Sequence, residues 1–254
     1  MSNFDRNAGL RYGAGATSAA PAVDQGLRTY MIGVYNHMTL GLAVTGATAL
    51  GTKMLATAQT ASGRLALTPI GQAIYQSPLR WLVMFAPLAL VMFFSFRVDR
   101  MSASAARGVF VAFAAIMGVS LSSILLVYTG QSVAGAFFQT AAAFGALSLY
   151  GYTTRRDLSP MGSFLIIALF GLIVASIVNL FVMSSGVQWA LAVVSALIFA
   201  GLTAYDTQAI KEMYYEGDAA EVAAKKSIYG ALQLYLDFIN MFLSLLRLFG
   251  NRNN

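Results

Sequence analysis

A helix needs about 20 predominantly apolar residues to cross a bilayer. This chain of 254 residues offers seven such runs, at about 29–50, 81–97, 108–129, 132–153, 161–183, 187–208 and 228–249. Hydrophobic residues make up 58% of the chain and charged residues only 10%, too few to cover a water-facing surface. The expected fold is therefore an all-α integral membrane protein of seven transmembrane helices. Soluble enzymes and disordered chains are excluded. The absence of cysteine removes disulfide-stapled modules, thiolate metal sites and cysteine nucleophiles. The net charge of +6 is scattered between apolar runs, so it reads as a topology signal and not as a nucleic-acid surface.

Residues 1–28 precede the first run and are expected to form a flexible N-terminal tail, with 29–250 as the membrane domain. The tail has no apolar stretch near its start, so no cleavable signal peptide is expected. Its GLRYGAGATSAA stretch precedes no strand and is not a nucleotide loop. About thirty mixed residues separate the first two runs, enough for a short interfacial helix. Pro87 inside the second run predicts a kink or a break. The small residues Gly118, Ser120, Ser122, Ser123, Gly135 and Gly145 predict close helix packing.

With seven helices alternating in direction, one side holds Arg6, Arg11, Arg28, Arg97, Arg100, Arg107, Arg155, Arg156, Lys211, Lys225 and Lys226. The other holds Lys53, Arg64, Arg80, Arg247 and Arg252. Eleven against five places the N-terminus in the cytoplasm. Arg247 lies inside the last run, and a re-entrant hairpin there would return the C-terminus to the cytoplasm.

Eight of the ten acidic residues fall in the tail, in loops or at helix ends. The exceptions are Asp206, near the cytoplasmic end of the sixth run, and Asp237, in the middle of the seventh. An ionisable group at membrane depth costs about 2.5–3.5 kcal/mol on insertion scales. The two runs are consecutive and expected to be neighbours, so the carboxyl groups can face each other. Gln233, Asp237, Asn240, Ser244 and Arg247 follow spacings of 4, 3, 4 and 3, one stripe of a helix. In lipid such a stripe must face protein or water. The last helix is therefore expected to be central, with Gln233, Asn240 and Ser244 lining a cavity that also receives Asp206. His37 beside Asn36, Gln139 and Asn179 are expected to be satisfied by interhelical hydrogen bonds.

Three stretches resemble the Bax inhibitor-1 family, and most closely its bacterial YccA-like branch. They are FAGLTAYDTQAIKEM at 199–213, ALQLYLDFINMFLSLLRLFG at 231–250 and SLYGYTTRRDLSPMGSF at 148–164. The resemblance covers about residues 29–250. It implies a seven-helix bundle with a central last helix and a pH-sensing aspartate pair, here Asp206 and Asp237. It also implies a calcium-leak channel of the inner membrane, and links the bacterial branch to a membrane-bound AAA protease. A basic residue at the end of the second helix would latch one aspartate, here Asp206, which lies nearer that cytoplasmic face than Asp237. Arg100 and Arg97 occupy that place, with Arg100 favoured by its distance from the third helix. Many relatives carry a Glu within the second helix, whereas WLVMFAPLALVMFF has no acid.

Two carboxylates in a poorly solvated site do not both ionise cheaply and so share a proton. That suits a pH-gated cation path. Calcium prefers six to eight oxygens, so Asp206 and Asp237 with nearby amides make a weak calcium site and no resident cofactor is expected. Weak binding suits a leak, because the ion must also leave. An intramembrane aspartyl protease matches only the Tyr205–Asp206 half of its signature. The second half calls for GxGD, but the chain reads Leu234, Tyr235, Leu236, Asp237. A regulatory protein that binds a membrane protease through its N-terminal tail, without conduction, is the other alternative.

Overall fold

The computed structural model describes residues 19–59 and 65–253. Its first helix, α1, spans Ala19–Ala56, and its 38 residues make a rod about 57 Å long. It starts ten residues before Thr29, so the expected tail is shortened from the inside. Residues 1–18 lie outside the described residues.

The linker after α1 is more ordered than its composition suggested. Strands β1 (Thr57–Gln59) and β2 (Leu65–Leu67) pair antiparallel, with Ala58 opposite Ala66. The expected interfacial helix follows as α2 (Pro69–Tyr75), with Thr68 Oγ1 accepting the Gly71 N–H at 3.2 Å and Pro69 in its first turn. Gly71 is required there, because a Cβ would sit 2.1 Å from the Ala56 carbonyl oxygen.

Helix α3 (Leu79–Arg97) runs unbroken through Pro87, so of the expected kink or break the break does not occur. Proline cannot donate to the carbonyl four residues back, here Val83. The Ser120 hydroxyl of α4 (Ala103–Leu121) donates to that carbonyl instead. A neighbouring serine thus satisfies the group the proline leaves open. A 3-10 turn at Val98–Arg100 follows α3, and Ser102 caps α4.

Beyond a break at Ser122–Ser123 come α5 (Ile124–Val127) and α6 (Gly130–Thr153), which Thr129 caps. Helix α7 (Ser159–Val182) begins where Asp157 Oδ1 accepts the Ser159 N–H at 2.8 Å, a bond that holds the Asp157 carboxyl below its usual range. It ends at Met183, in the left-handed region with φ 53°. Asn179 is buried and satisfied, accepting the Ser184 N–H. Helices α8 (Ser185–Glu212) and α9 (Ala220–Phe249) complete the chain. The last helix is continuous, so it makes no re-entrant hairpin.

Among the described residues, six helices are long and apolar enough to cross a membrane, counting α4 and α5 as one span. Helix α1 is not among them. Asn36, His37 and its threonines and glycines dilute its apolar residues. The C-terminal helix is central: α9 packs against α1, α4, α6 and α8, while α3 packs along α4 and α7 along α8. Tyr235 of α9, fully buried, meets Phe110 and Phe113 of α4 edge to face. Its hydroxyl lies 2.7 Å from Thr45 of α1, whose own hydroxyl reaches the Ala114 carbonyl of α4.

The connections sort into two ends. At the near end, Glu221 Oε1 accepts the Ala103 N–H at 2.7 Å, joining the α3–α4 corner to the first turn of α9. At the far end, Thr129 N–H donates to the Asn251 carbonyl, and Tyr75 bonds Ser122 at 2.7 Å.

Candidate functional site

Asp206 is brought to the bundle interior by the close fit of α8 between α6 and α7. A Cβ at Gly151 of α6 would sit 2.2 Å from the Ala204 carbonyl oxygen, and one at Gly162 of α7 would strike the Tyr205 ring at 2.5 Å. Gly151 lets the α6 and α8 backbones approach, and Gly162 makes room for the Tyr205 ring beside the aspartate. The residues after it anchor the same stretch. Thr207 Oγ1 is 3.0 Å from Ser148 Oγ, which is 2.5 Å from the Tyr35 hydroxyl of α1. Gln208 accepts the Leu158 N–H at 2.8 Å and donates to the Arg156 carbonyl at 2.9 Å. Lys211 donates to the Tyr152 carbonyl. These supporting residues were not singled out from the sequence, although polar groups one, two and five places beyond a buried acid were a visible signal.

The structure brings Asp206 and Asp237 together: the two carboxyl groups are neighbours lining one cavity. Asp237 is 4% exposed, and its Oδ2 has no hydrogen-bond partner. The buried Gln233 Oε1, one turn earlier, is also unpartnered. Buried polar atoms are normally paired, so two orphaned oxygens beside a carboxyl pair call for a donor or a cation from outside the chain.

All of these groups line a cavity of about 1190 Å³ bounded by α3, α4, α5, α7, α8 and α9. Asn240 lines it too, donating through Nδ2 to the Leu236 carbonyl at 2.8 Å, which leaves its Oδ1 available. Arg247 and Arg80 stand at the far end of the same cavity. Ser244 departs from the expected stripe. It is buried against α8, 2.8 Å from Ser195 Oγ, and does not line the cavity.

The latch is not formed. Arg97 and Arg100 are exposed, and neither makes a salt bridge to Asp206 or Asp237. Both sit beside the α3–α4 corner, which Glu221 joins to the first turn of α9, and neither lines the cavity that holds Asp206. No group of three or more metal-ligating side chains occurs among the described residues.

Other polar expectations divide. His37 Nδ1 bonds the Gly33 carbonyl of its own helix at 2.7 Å, not a neighbouring helix. Gln139 and Asn36 are exposed, so neither is held by an interhelical bond. Gly118 does mark close packing, since a Cβ would meet the Thr45 carbonyl oxygen at 2.4 Å. Gly135 and Gly145 face open space.

The sequence model of the family described as "Inhibitor of apoptosis-promoting Bax1" matches residues 27–254. The inner membrane protein YbhL of Escherichia coli is 44% identical over 229 residues, 89% of this chain and 93% of its own. A protein of Caulobacter vibrioides is 44% identical over 252 residues, covering 98% of both chains. A protein of Rickettsia prowazekii is also 44% identical, over 238 residues, covering 94% of this chain and 96% of its own.

Proposed function

The chain belongs to the Bax inhibitor-1 family, and on that premise we propose that it is a pH-sensitive cation leak of the inner membrane, with calcium as cargo and Asp206 and Asp237 as the titrating pair. One observation carries the reading. Two neighbouring carboxyl groups and two unpartnered oxygens, Asp237 Oδ2 and Gln233 Oε1, converge on one large cavity among membrane-spanning helices. Ionisable groups at that depth are expensive and mark ion or proton paths. The oxygens are too few for a tight calcium cage, which suits passage over storage. When the pair holds both protons the site is neutral. Losing them raises its negative charge and its attraction for a cation.

In this reading α1 is the seventh spanning helix, with Asn36 at its lipid-facing side. The basic residues then place the near end in the cytoplasm. A cysteine at Thr154 is expected to stay protected from an impermeant thiol reagent in intact cells. Labelling without permeabilisation would reverse the orientation.

The aspartyl-protease alternative fares worse against this geometry. Leu234 is fully buried, and Tyr235 is locked between two phenylalanines, where that signature needs open backbone. A regulatory partner of a membrane-bound AAA protease, grasped through the tail, draws on residues 1–18, outside the described residues.

Calcium flux into proteoliposomes across a pH series tests the proposal. Asp206→Asn and Asp237→Asn should each remove most of the pH dependence, and the double substitution should add little, because coupled groups act as a unit. Simply additive effects would separate the two carboxyl groups. Flux that never exceeds empty liposomes would remove conduction and leave the regulatory alternative.

A further inference from the structure

The cavity that holds the aspartates is not enclosed on its lipid side. Helix α3 packs along α4 and α2 but not along α7, although side chains of both α3 and α7 line the cavity. Met84 and Leu88 from α3 are 52% and 58% exposed, and Ile166 and Ile173 from α7 are 42% and 47% exposed. These residues form the two jambs of a side opening whose walls are apolar. In a bilayer, water does not fill such a gap stably; acyl chains do.

The far end of the opening is cationic. Arg80 opens α3 and Arg247 closes α9, and both line the cavity and are exposed. Neither makes an ion pair among the described residues. The wider charge pattern agrees. When residues are assigned by the alternation of the helices, the near end carries eleven basic and eight acidic residues, but the far end carries five basic and none acidic. The near end carries counter-charges for most of its basic residues, whereas the far end has no internal counter-charge. Arginine heads at a helix end reach the headgroup level while their stems lie along apolar surface, and they pair well with phosphate oxygens.

We propose that the opening between α3 and α7 seats an anionic phospholipid, its phosphate between Arg80 and Arg247 and one acyl chain inside the cavity over the aspartate pair. The chain would be a removable cover, keeping water and cations from the pair while it is seated. Lipid binding itself does not depend on conduction, so it stands or falls separately from the cation reading.

Trp81 provides the probe, because it lines the cavity directly beneath Arg80, whose guanidinium lies 5.0 Å from its ring centroid. The chain has two tryptophans, so Trp189→Phe leaves Trp81 as the sole emitter. The full chain is reconstituted in vesicles of phosphatidylcholine containing either brominated phosphatidylglycerol or brominated phosphatidylcholine. The expected result is stronger quenching by the anionic lipid at equal mole fraction. Arg80→Ala and Arg247→Ala should each lower the preference about fivefold. Lys53→Ala, a far-end cation outside this cavity, should not, and neither should Asp206→Asn. Equal quenching by the two lipids overturns the proposal, as does a preference that survives both arginine substitutions. If inorganic phosphate abolishes the preference at constant ionic strength, the site takes a free anion and the lipid is wrong. If the preference holds while no vesicle shows calcium flux, the cation reading fails and the lipid site remains.

Discussion

Helices α9 and α3 are both membrane spans, yet they are built on opposite plans. Half of the α9 span is buried inside the protein, against 11% of α3. Among the six spans, α9 is the least apolar, and α7, the most apolar, is buried as little as α3. In water the ranking would run the other way. Lipid reverses it because tails solvate leucine as well as a protein core does, so polarity decides which helix goes inside. The carboxylate, the two amides and Tyr235 of α9 need protein partners, and the other helices assemble around them. Helix α3 has no such demand beyond one carbonyl, and that demand is met by Ser120. It can therefore stand at the edge of a cavity, held on one side only.

The sharpest way to break this comparison is to remove the same side chain from each helix. Leu234 of α9 is fully buried, whereas Leu88 of α3 is 58% exposed. Leu234→Ala should cost about 2–5 kcal/mol, since packing contacts are lost and a void remains. Leu88→Ala should stay within about 0.5 kcal/mol, because lipid or detergent refills the space. Thermal unfolding in detergent of the two variants beside the parent measures the difference. Equal losses would mean that α3 is packed as a core helix and that the side opening does not exist.

The same contrast explains what the sequence revealed and what it hid. The central place of α9 was legible, because a polar stripe at helical spacing within an apolar run has only the interior to face. So was the meeting of Asp206 with Asp237. Ser244 was misassigned because helical spacing fixes a stripe only to within the width of a face, and its last turns lean toward Ser195 of α8. The continuity of α3 through Pro87 was hidden, since the rescue comes from a serine thirty-seven residues away. The glycines divided in a way that composition alone does not show. Gly118 and Gly151 sit against backbone and Gly162 against the Tyr205 ring, whereas Gly135 and Gly145 have no close neighbour. Which small residue touches a neighbour depends on helix rotation, and an all-apolar helix leaves its rotation unmarked. Helix α7 has few polar residues to mark its inner face, and the gap it leaves beside α3 was correspondingly invisible.

The smallest effect is expected at the near end of α3. The family resemblance suggested Arg97 or Arg100 as a latch on one aspartate, but the Glu221 contact to Ala103 fixes that corner at the first turn of α9. Neither arginine lines the cavity that holds Asp206. Bringing one there would require α3 to shift along α4, pulling Ser120 from the Val83 carbonyl and reopening the gap left by Pro87. Both arginines instead stand where basic side chains meet anionic headgroups. Arg97→Ala and Arg100→Ala should therefore leave calcium flux and its pH profile within about twofold of the parent, set by headgroup contacts alone. Flux in proteoliposomes at several pH values, with Asp206→Asn alongside, measures this. If Arg100→Ala instead raised flux selectively at high pH, α3 would have to occupy a second position, and its loose packing would be the means of reaching it.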